Sequence, residues 1–418
     1  MPVSILSRAR PVSVALCALP PLALYVHVPW CVRKCPYCDF NSHELKTSAA
    51  VTPSEAATKS LSLDPELERE YVRALIADLD SALPSVWGRR LSSVFFGGGT
   101  PSLLSAEALD LLLSAIRARL TVDPNAEITL EANPGTFETR KFADFRAAGV
   151  NRLSIGIQSF NQRHLRAIGR IHDDAEARNA IAIAQRSFDN INLDLMYALP
   201  EQTSEQALQD VQEAAEYGVQ HISAYHLTLE PNTLFYRHPP RLPADDTAAD
   251  MQAAIEELLA SHGYRHYETS AFAQPGRESR HNLNYWTFGD YLGIGAGAHS
   301  KLSFSNGIVR EMRYKHPREY LRNAKGGTPL QTTQEVAPDD LPFEFMMNAL
   351  RLVDGFPLHL FVERTGLPAV TVHAGLRQAE QIGLIERDHV HVKPTLRGQR
   401  FLNDLLQLFL SAQNGNRD

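Results

Sequence analysis

Short apolar runs recur along the first part of the chain, and each is followed by a stretch with helical spacing. The runs are ALYVHV (23–28), SVFFGG (93–98), EITLEA (127–132), RLSIGIQ (152–158), INLDLMYA (191–198) and HISAYHLTL (221–229). Apolar residues at three- and four-residue intervals predict helices over 67–83, 105–120, 139–149, 178–187, 205–218 and 251–263. Strands that alternate with helices read as βα units on a parallel sheet. About six such repeats without a dinucleotide-binding glycine pattern predict an α/β fold, a full or partial (β/α)6 TIM-like barrel.

After the barrel pattern, 266–276 reads as one more strand and turn, and 281–300 is rich in glycine and aromatic residues. From 331 the pattern changes to two helices, a small hairpin and a last helix, which predicts a smaller C-terminal α+β, winged-helix-like domain. The expected organisation is a poorly ordered leader (1–20), the barrel (21–265), a connecting segment (266–330) and the C-terminal domain (331–418).

Composition changes this picture little. With 44% hydrophobic and 21% charged residues, the chain can build a sizeable core. A net charge of -7 offers no electrostatic case for nucleic acid, even with a winged-helix-like module. The N-terminal apolar run invites a signal-peptide reading. Pro20 and Pro21 interrupt it, however, and removal near Ala23 would cut the first strand, so a cytoplasmic location is expected. No other apolar stretch in the sequence is long enough for a bilayer-spanning helix.

All four cysteines lie near the start: Cys17, Cys31, Cys35 and Cys38. A disulfide scaffold would spread them out, so a reducing compartment and a local site are expected. Cys31, Cys35 and Cys38 form C-V-R-K-C-P-Y-C directly after the first strand. Three soft thiolates suit an iron–sulfur cluster with one iron left open to chelate a small molecule, or zinc if His27 or His43 supplies a fourth donor. FFGGGTPS (95–102) puts three glycines at a strand end, as either a tight turn or a close approach to a ligand. Glu131, Gln158 and Asp194 sit at or near strand ends, where barrel active sites assemble, though each could instead cap a helix. Arg170 is a bidentate donor for a carboxylate or a solvated loop residue. In HNLNYW (281–286), His281 could ligate heme iron while Tyr285 and Trp286 pack on a porphyrin; equally, the aromatics could seal the barrel bottom or the domain junction. His299 and His316 are further possible ligands.

The string YVHVPWCVRKCPYCDFNSH resembles the radical S-adenosylmethionine superfamily and, within it, the oxygen-independent coproporphyrinogen-III oxidase-like family. The resemblance runs from Tyr25 to the C-terminal module. It implies a radical SAM barrel, a 4Fe-4S cluster on the three cysteines, and S-adenosylmethionine held around Glu131, Gln158, Arg170 and Asp194. Gly97 to Thr100 would contact the methionyl amine, with Gly98, Gly99 and Thr100 as the contact residues. Tyr25 would lie by the cluster, Tyr37 would lend backbone to the adenine, and Thr228 is a further candidate.

The dehydrogenase branch of that family carries another cysteine two positions after the third, where this chain has Phe40. Phe40 and HNxxYW together resemble the heme chaperone branch, which implies heme, acceptor hemoproteins, a small redox protein as electron donor and transient contact with membrane proteins. Oxygen-independent coproporphyrinogen III decarboxylation and radical chemistry on another substrate are the enzyme alternatives.

Overall fold

The computed structural model describes residues 14–45, 62–135 and 139–410. One twelve-stranded sheet organises most of them. Its strands are β1 (Leu22–Val28), β2 (Arg90–Gly98), β3 (Thr121–Ala132), β4 (Arg152–Gln158), β5 (Ile191–Tyr197), β6 (His221–His226), β7 (Arg265–Glu268), β8 (Ala271–Ala273), β9 (Asp290–Ile294), β10 (His299–Phe304), β11 (Gly307–Arg313) and β12 (Leu330–Glu335). The spatial order is β12-β11-β10-β9-β1-β2-β3-β4-β5-β6-β8-β7. Neighbours from β9 to β6 run parallel, and antiparallel strands extend the sheet at both ends. The end strands β12 and β7 do not pair among the described residues, so the barrel is partial.

The sequence explains this arrangement. β1 and β5 are nearly continuous apolar runs because helices cover one face and the barrel interior the other. The helices begin where their caps dictate. Asp64 accepts from the N–H groups of Glu66 and Leu67 ahead of Pro65–Val86, with Pro65 at the first helical position. Reciprocal caps, Asp173 with Glu176 and Thr203 with Gln206, start Asp174–Gln185 and Ser204–Glu216.

The segment 266–330, expected to connect the barrel to the C-terminal domain, supplies most of β7, all of β8 to β11 and the start of β12. β9 pairs with β1 on the side opposite β2, with Tyr25 beside Gly293 and Val26 beside Ile294. Buried charges fasten this extension. Asp290 meets Arg89 at 2.8 Å and Lys301 at 2.9 Å. Asp78 accepts from Arg313 Nε at 3.2 Å, Tyr320 Oη at 2.9 Å and the Gly295 N–H at 3.0 Å. Such groups are tolerated inside a protein only when paired and hydrogen-bonded.

The C-terminal part has its own core and the winged-helix-like order that the sequence predicts. Helix Leu341–Ala349, strand Phe356–Pro357, helices Leu358–Thr365 and His373–Gln381, then strands Ile385–Arg387 and His391–Pro394 follow one another. Phe345 packs edge-on against both Phe356 and Phe361. Part of the expected leader is also fastened. Val14 and Leu16 pack on this core, and the Leu16 N–H donates to Ser305 O at 3.1 Å. Residues 1–13 lie outside the described residues.

Candidate functional site

The three cysteines occupy one loop at the C-terminal end of β1, the end at which barrels assemble their sites. Two short strands close the loop's base, pairing Trp30 with His43 and Cys31 with Glu44. Lys34 Nζ crosses it to the carbonyls of Phe40 (3.2 Å) and Ser42 (3.1 Å). All three thiols are free and half-buried. Burial pushes Cys31 up to about 11 and raises Cys38, so loading a metal here must displace protons. Arg170 Nη1 stands 3.8 Å from Cys35 Sγ, a cation placed to offset thiolate charge.

Three thiolates with an adjacent guanidinium fit an iron–sulfur cluster, which spreads its ligands over several irons. Among the described residues, no three His, Cys, Asp or Glu side chains converge as they would on a single ion.

Beside the loop lies a cleft of about 650 Å³. Its lining includes Cys31, Cys35, Cys38, Tyr37, Gly98, Gly99, Glu131, Gln158, Arg170, Asp194 and Thr228, so the structure brings most of the expected residues together. Glu131 Oε2 accepts from the Gly98 N–H at 3.1 Å. Burial and then nearby Asp194 push the Glu131 carboxyl up to about 8. Burial also raises Asp194, against hydrogen bonds from Ser154 Oγ and Asn192 Nδ2, both at 2.8 Å.

Arg170 Nη2 donates to Asn133 Oδ1 (2.6 Å) and Gly156 O (2.7 Å), which fixes the guanidinium against the cleft wall. Gln158 ends β4 with φ at 69°, in the left-handed region, and Thr228 Oγ1 donates to Glu230 at 2.8 Å. Tyr37 packs near Phe235.

The N–H groups of Gly99 and Thr100 donate to Val28 O and Trp30 O, both at 2.8 Å, so they buttress the cysteine loop. The Thr100 side chain is buried and accepts from Asn133 Nδ2 at 2.9 Å; Thr100 does not line the cleft. Gly98 has φ at 115°, and a Cβ there would lie 2.5 Å from the His27 ring, which explains the glycine. The sequence reading missed Asn133, Ser154 and Asn192. Asn133 sits two residues beyond Glu131; Ser154 and Asn192 occupy inward positions two residues from Gly156 and Asp194, so strand alternation marks them.

A second cavity of about 590 Å³ adjoins the first and shares Asp39, Phe40, Ser42, Gly98 and Glu131 with it. Tyr25 lies here and not in the first cleft, with its hydroxyl 3.0 Å from His27 Nδ1. Phe40 is 62% exposed at the junction of the two spaces.

HNLNYW forms most of helix Arg280–Trp286 at the opposite, N-terminal end of the strands. Glu127 accepts from the N–H groups of Arg280 (3.2 Å) and His281 (3.1 Å). His281 is 1% exposed, stacks on Phe95 and hydrogen-bonds Ser93 at 2.9 Å. Burial and Arg152 lower it to about 3, so the ring is neutral. The ring is buried in the barrel floor, and its Nε2 has no hydrogen-bond partner among the described residues. Trp286 lies under the Arg351 guanidinium, 4.3 Å from its ring centroid. Within the motif, Tyr285 reaches the second cavity, whereas His281 and Trp286 line neither space.

A partial barrel with a CxxxCxxC loop at the mouth of its first strand defines a radical SAM protein. Residues 25–214 match the family model of the Radical SAM superfamily, and 336–401 match that of the HemN C-terminal domain. The chain belongs to the HemW family. It is 46% identical to heme chaperone HemW of Escherichia coli K12, covering 94% of this chain and 99% of that protein, and 46% identical to heme chaperone HemW of Haemophilus influenzae with the same coverage. The solved structure of coproporphyrinogen III oxidase (HemN) from Escherichia coli, a radical SAM enzyme, shares the fold. Its TM-score is 0.75 at 23% identity, over 94% of this chain and 90% of that one. Among the described residues, no helix is long and apolar enough to cross a membrane.

Proposed function

We propose that this chain is a cytoplasmic heme chaperone, which binds heme and passes it to acceptor hemoproteins. In this reading it carries a 4Fe-4S cluster on Cys31, Cys35 and Cys38 and binds S-adenosylmethionine in the adjoining cleft. The observation that carries the reading is the near full-length likeness to proteins named heme chaperone HemW. Phe40 supports it, standing exposed between the two cavities where the resemblance gives the dehydrogenase branch another cysteine.

The cluster, when bound, supplies one-electron reduction of S-adenosylmethionine. This chain's residues bind and orient. Glu131 and Asp194 offer carboxyl oxygens to the ligand's amine or ribose, and Gln158 and Thr228 line the same space. Arg170, anchored by Asn133, offers its cation to a carboxylate or to cluster sulfur. Tyr37 lends apolar surface, and Gly98 carries the N–H that holds Glu131. A small redox protein serves as electron donor, and contact with membrane hemoproteins is transient.

The test is anaerobic reconstitution with iron and sulfide, followed by incubation with coproporphyrinogen III, S-adenosylmethionine and a strong reductant. The reading expects a loaded cluster and no protoporphyrinogen IX. Sustained porphyrinogen turnover would move the chain to the enzyme alternative.

A further inference from the structure

The C-terminal part of the chain meets both edges of the open barrel. On one side the Val336 N–H donates to Ile308 O at 2.8 Å, and Arg310 Nη2 lies 2.5 Å from Glu344 Oε2. On the other, residues 351–353 run against the end strand β7. The Thr269 N–H donates to Arg351 O and the Val353 N–H to Tyr267 O, both at 3.1 Å. An end strand offers unpaired backbone groups, and this segment takes some of them up.

That pairing brings the Arg351 side chain to the first cleft. Arg351 lines it together with Glu131, Arg170 and Asp194, and the rest of the lining comes from residues 31–230. Arg351 Nη2 also donates to Glu268 Oε2 at 3.2 Å. Its guanidinium covers the ring of Trp286, the last residue of the HNLNYW helix, at 4.3 Å from the centroid. One side chain thus touches both the cleft and the motif.

The helix Arg280–Trp286 is held at two points. Glu127 fixes its first turn through the N–H groups of Arg280 and His281, and Arg351 covers its last residue. This closed arrangement leaves Arg351 Nε, Trp286 Nε1 and His281 Nε2 buried without a hydrogen-bond partner among the described residues. A buried donor left unpaired loses its hydration and gains nothing back, so an arrangement that supplies a partner is favoured.

We propose that Arg351 is a switch between the cleft and the motif helix: S-adenosylmethionine in the cleft engages the guanidinium, draws it off Trp286 and loosens the end of helix Arg280–Trp286. Arginine suits both positions. Its planar face stacks on an indole, and its edge donates to a carboxylate or ribose oxygen. Nε is buried in the stacked position, so a ligand oxygen reaches it only when the side chain leaves the indole. Ligand binding and helix closure therefore oppose each other, and the coupling acts in both directions. The proposal rests on the reading that the first cleft binds S-adenosylmethionine, and adds what that binding does to the motif.

The test uses the cluster-loaded full chain with and without S-adenosylmethionine. Hydrogen exchange read by mass spectrometry follows the amides of 283–288, isothermal titration gives the affinity, and thermal melts check each fold. In wild type the ligand is expected to speed exchange over 283–288 about fivefold, the weight of one partly buried cation–π contact. Arg351→Met should exchange about fivefold faster before ligand is added, respond no further, and bind S-adenosylmethionine roughly fivefold more weakly. Trp286→Leu should also lose the response, yet bind about fivefold more tightly, because Arg351 no longer has an indole to leave. Trp286→Phe, with a weaker ring partner, should fall between wild type and Trp286→Leu. Arg351→Lys keeps the charge but has neither Nε nor a planar face, so it should keep the melting temperature without restoring the response.

Binding by wild type with unchanged exchange over 283–288 would overturn the switch and leave the reading of the cleft intact. Weaker binding in folded Trp286→Leu, or a full response in Arg351→Lys, would overturn it in the same way, by reducing Arg351 to a charge that steadies the fold. No S-adenosylmethionine binding by the cluster-loaded wild type would overturn the switch together with the reading on which it rests.

Discussion

Glu131 offers a pH-dependent test of the first cleft. Its carboxyl is pushed up to about 8, chiefly because it is buried and secondarily because Asp194 lies near it. A raised carboxyl is mostly protonated at neutral pH. At pH 7 about one Glu131 in ten is ionised, which corresponds to roughly 1.4 kcal/mol for reaching the charged form. S-adenosylmethionine is a sulfonium cation and gains most from an ionised partner. If only that form binds well, the apparent Kd is the intrinsic value divided by the ionised fraction.

Affinity should then rise about tenfold per pH unit from 6 to 7, about tenfold again from 7 to 9, and flatten above that. Binding at pH 7 should release close to one proton. The assay is isothermal titration of S-adenosylmethionine into the cluster-loaded protein, in two buffers of different ionisation enthalpy at each pH. Glu131→Gln, which keeps an oxygen for the Gly98 N–H, should bind with little pH dependence and no proton release. A wild-type affinity that stays flat from pH 6 to 9, or a slope that persists in Glu131→Gln, would refute the reasoning.

Other perturbations test other parts of the account. Gly98→Ala puts a Cβ 2.5 Å from the His27 ring at a left-handed φ, so a loss of about 2–3 kcal/mol in urea unfolding is expected, together with weaker S-adenosylmethionine binding. Replacing any one of Cys31, Cys35 or Cys38 by Ser should cut iron and sulfide retained after anaerobic reconstitution to a small fraction of wild type, by colorimetric analysis. Burial lowers Lys301 to about 8, so between pH 8 and the unfolded value near 10.5 the unfolded chain binds more protons and stability rises with pH. Measured against Lys301→Met by urea midpoints, wild type should gain about 2 kcal/mol between pH 7.5 and 9.5; an equal gap at both values would count against the buried ammonium.

The parallel core was legible because its strands are buried on both faces and read as apolar runs between capped helices. The extension was not. β11 (GIVREMR) and β12 (LQTTQE) carry charged and polar side chains, since antiparallel strands can keep one face in water. In the first cleft, Cys31, Cys35 and Cys38 declare themselves by spacing, and Glu131 and Asp194 by falling at strand ends. Ser154 and Asn192 are common polar residues whose role appears only once β4 and β5 pair and bring them to Asp194. The surroundings of HNLNYW are not legible in the motif itself: Ser93, Phe95 and Glu127, all distant in sequence, fold around its histidine and bury it.

The central claim is that this chain holds heme in order to give it away. The most direct measurement loads the cluster-bearing protein with heme, mixes it with an apo-hemoprotein, separates the two and records the acceptor's Soret spectrum against time. The account predicts near-stoichiometric heme on the chain beforehand, and transfer faster than from hemin held by albumin at the same total concentration. Heme that never binds, or that binds and stays while the acceptor remains apo, would contradict it.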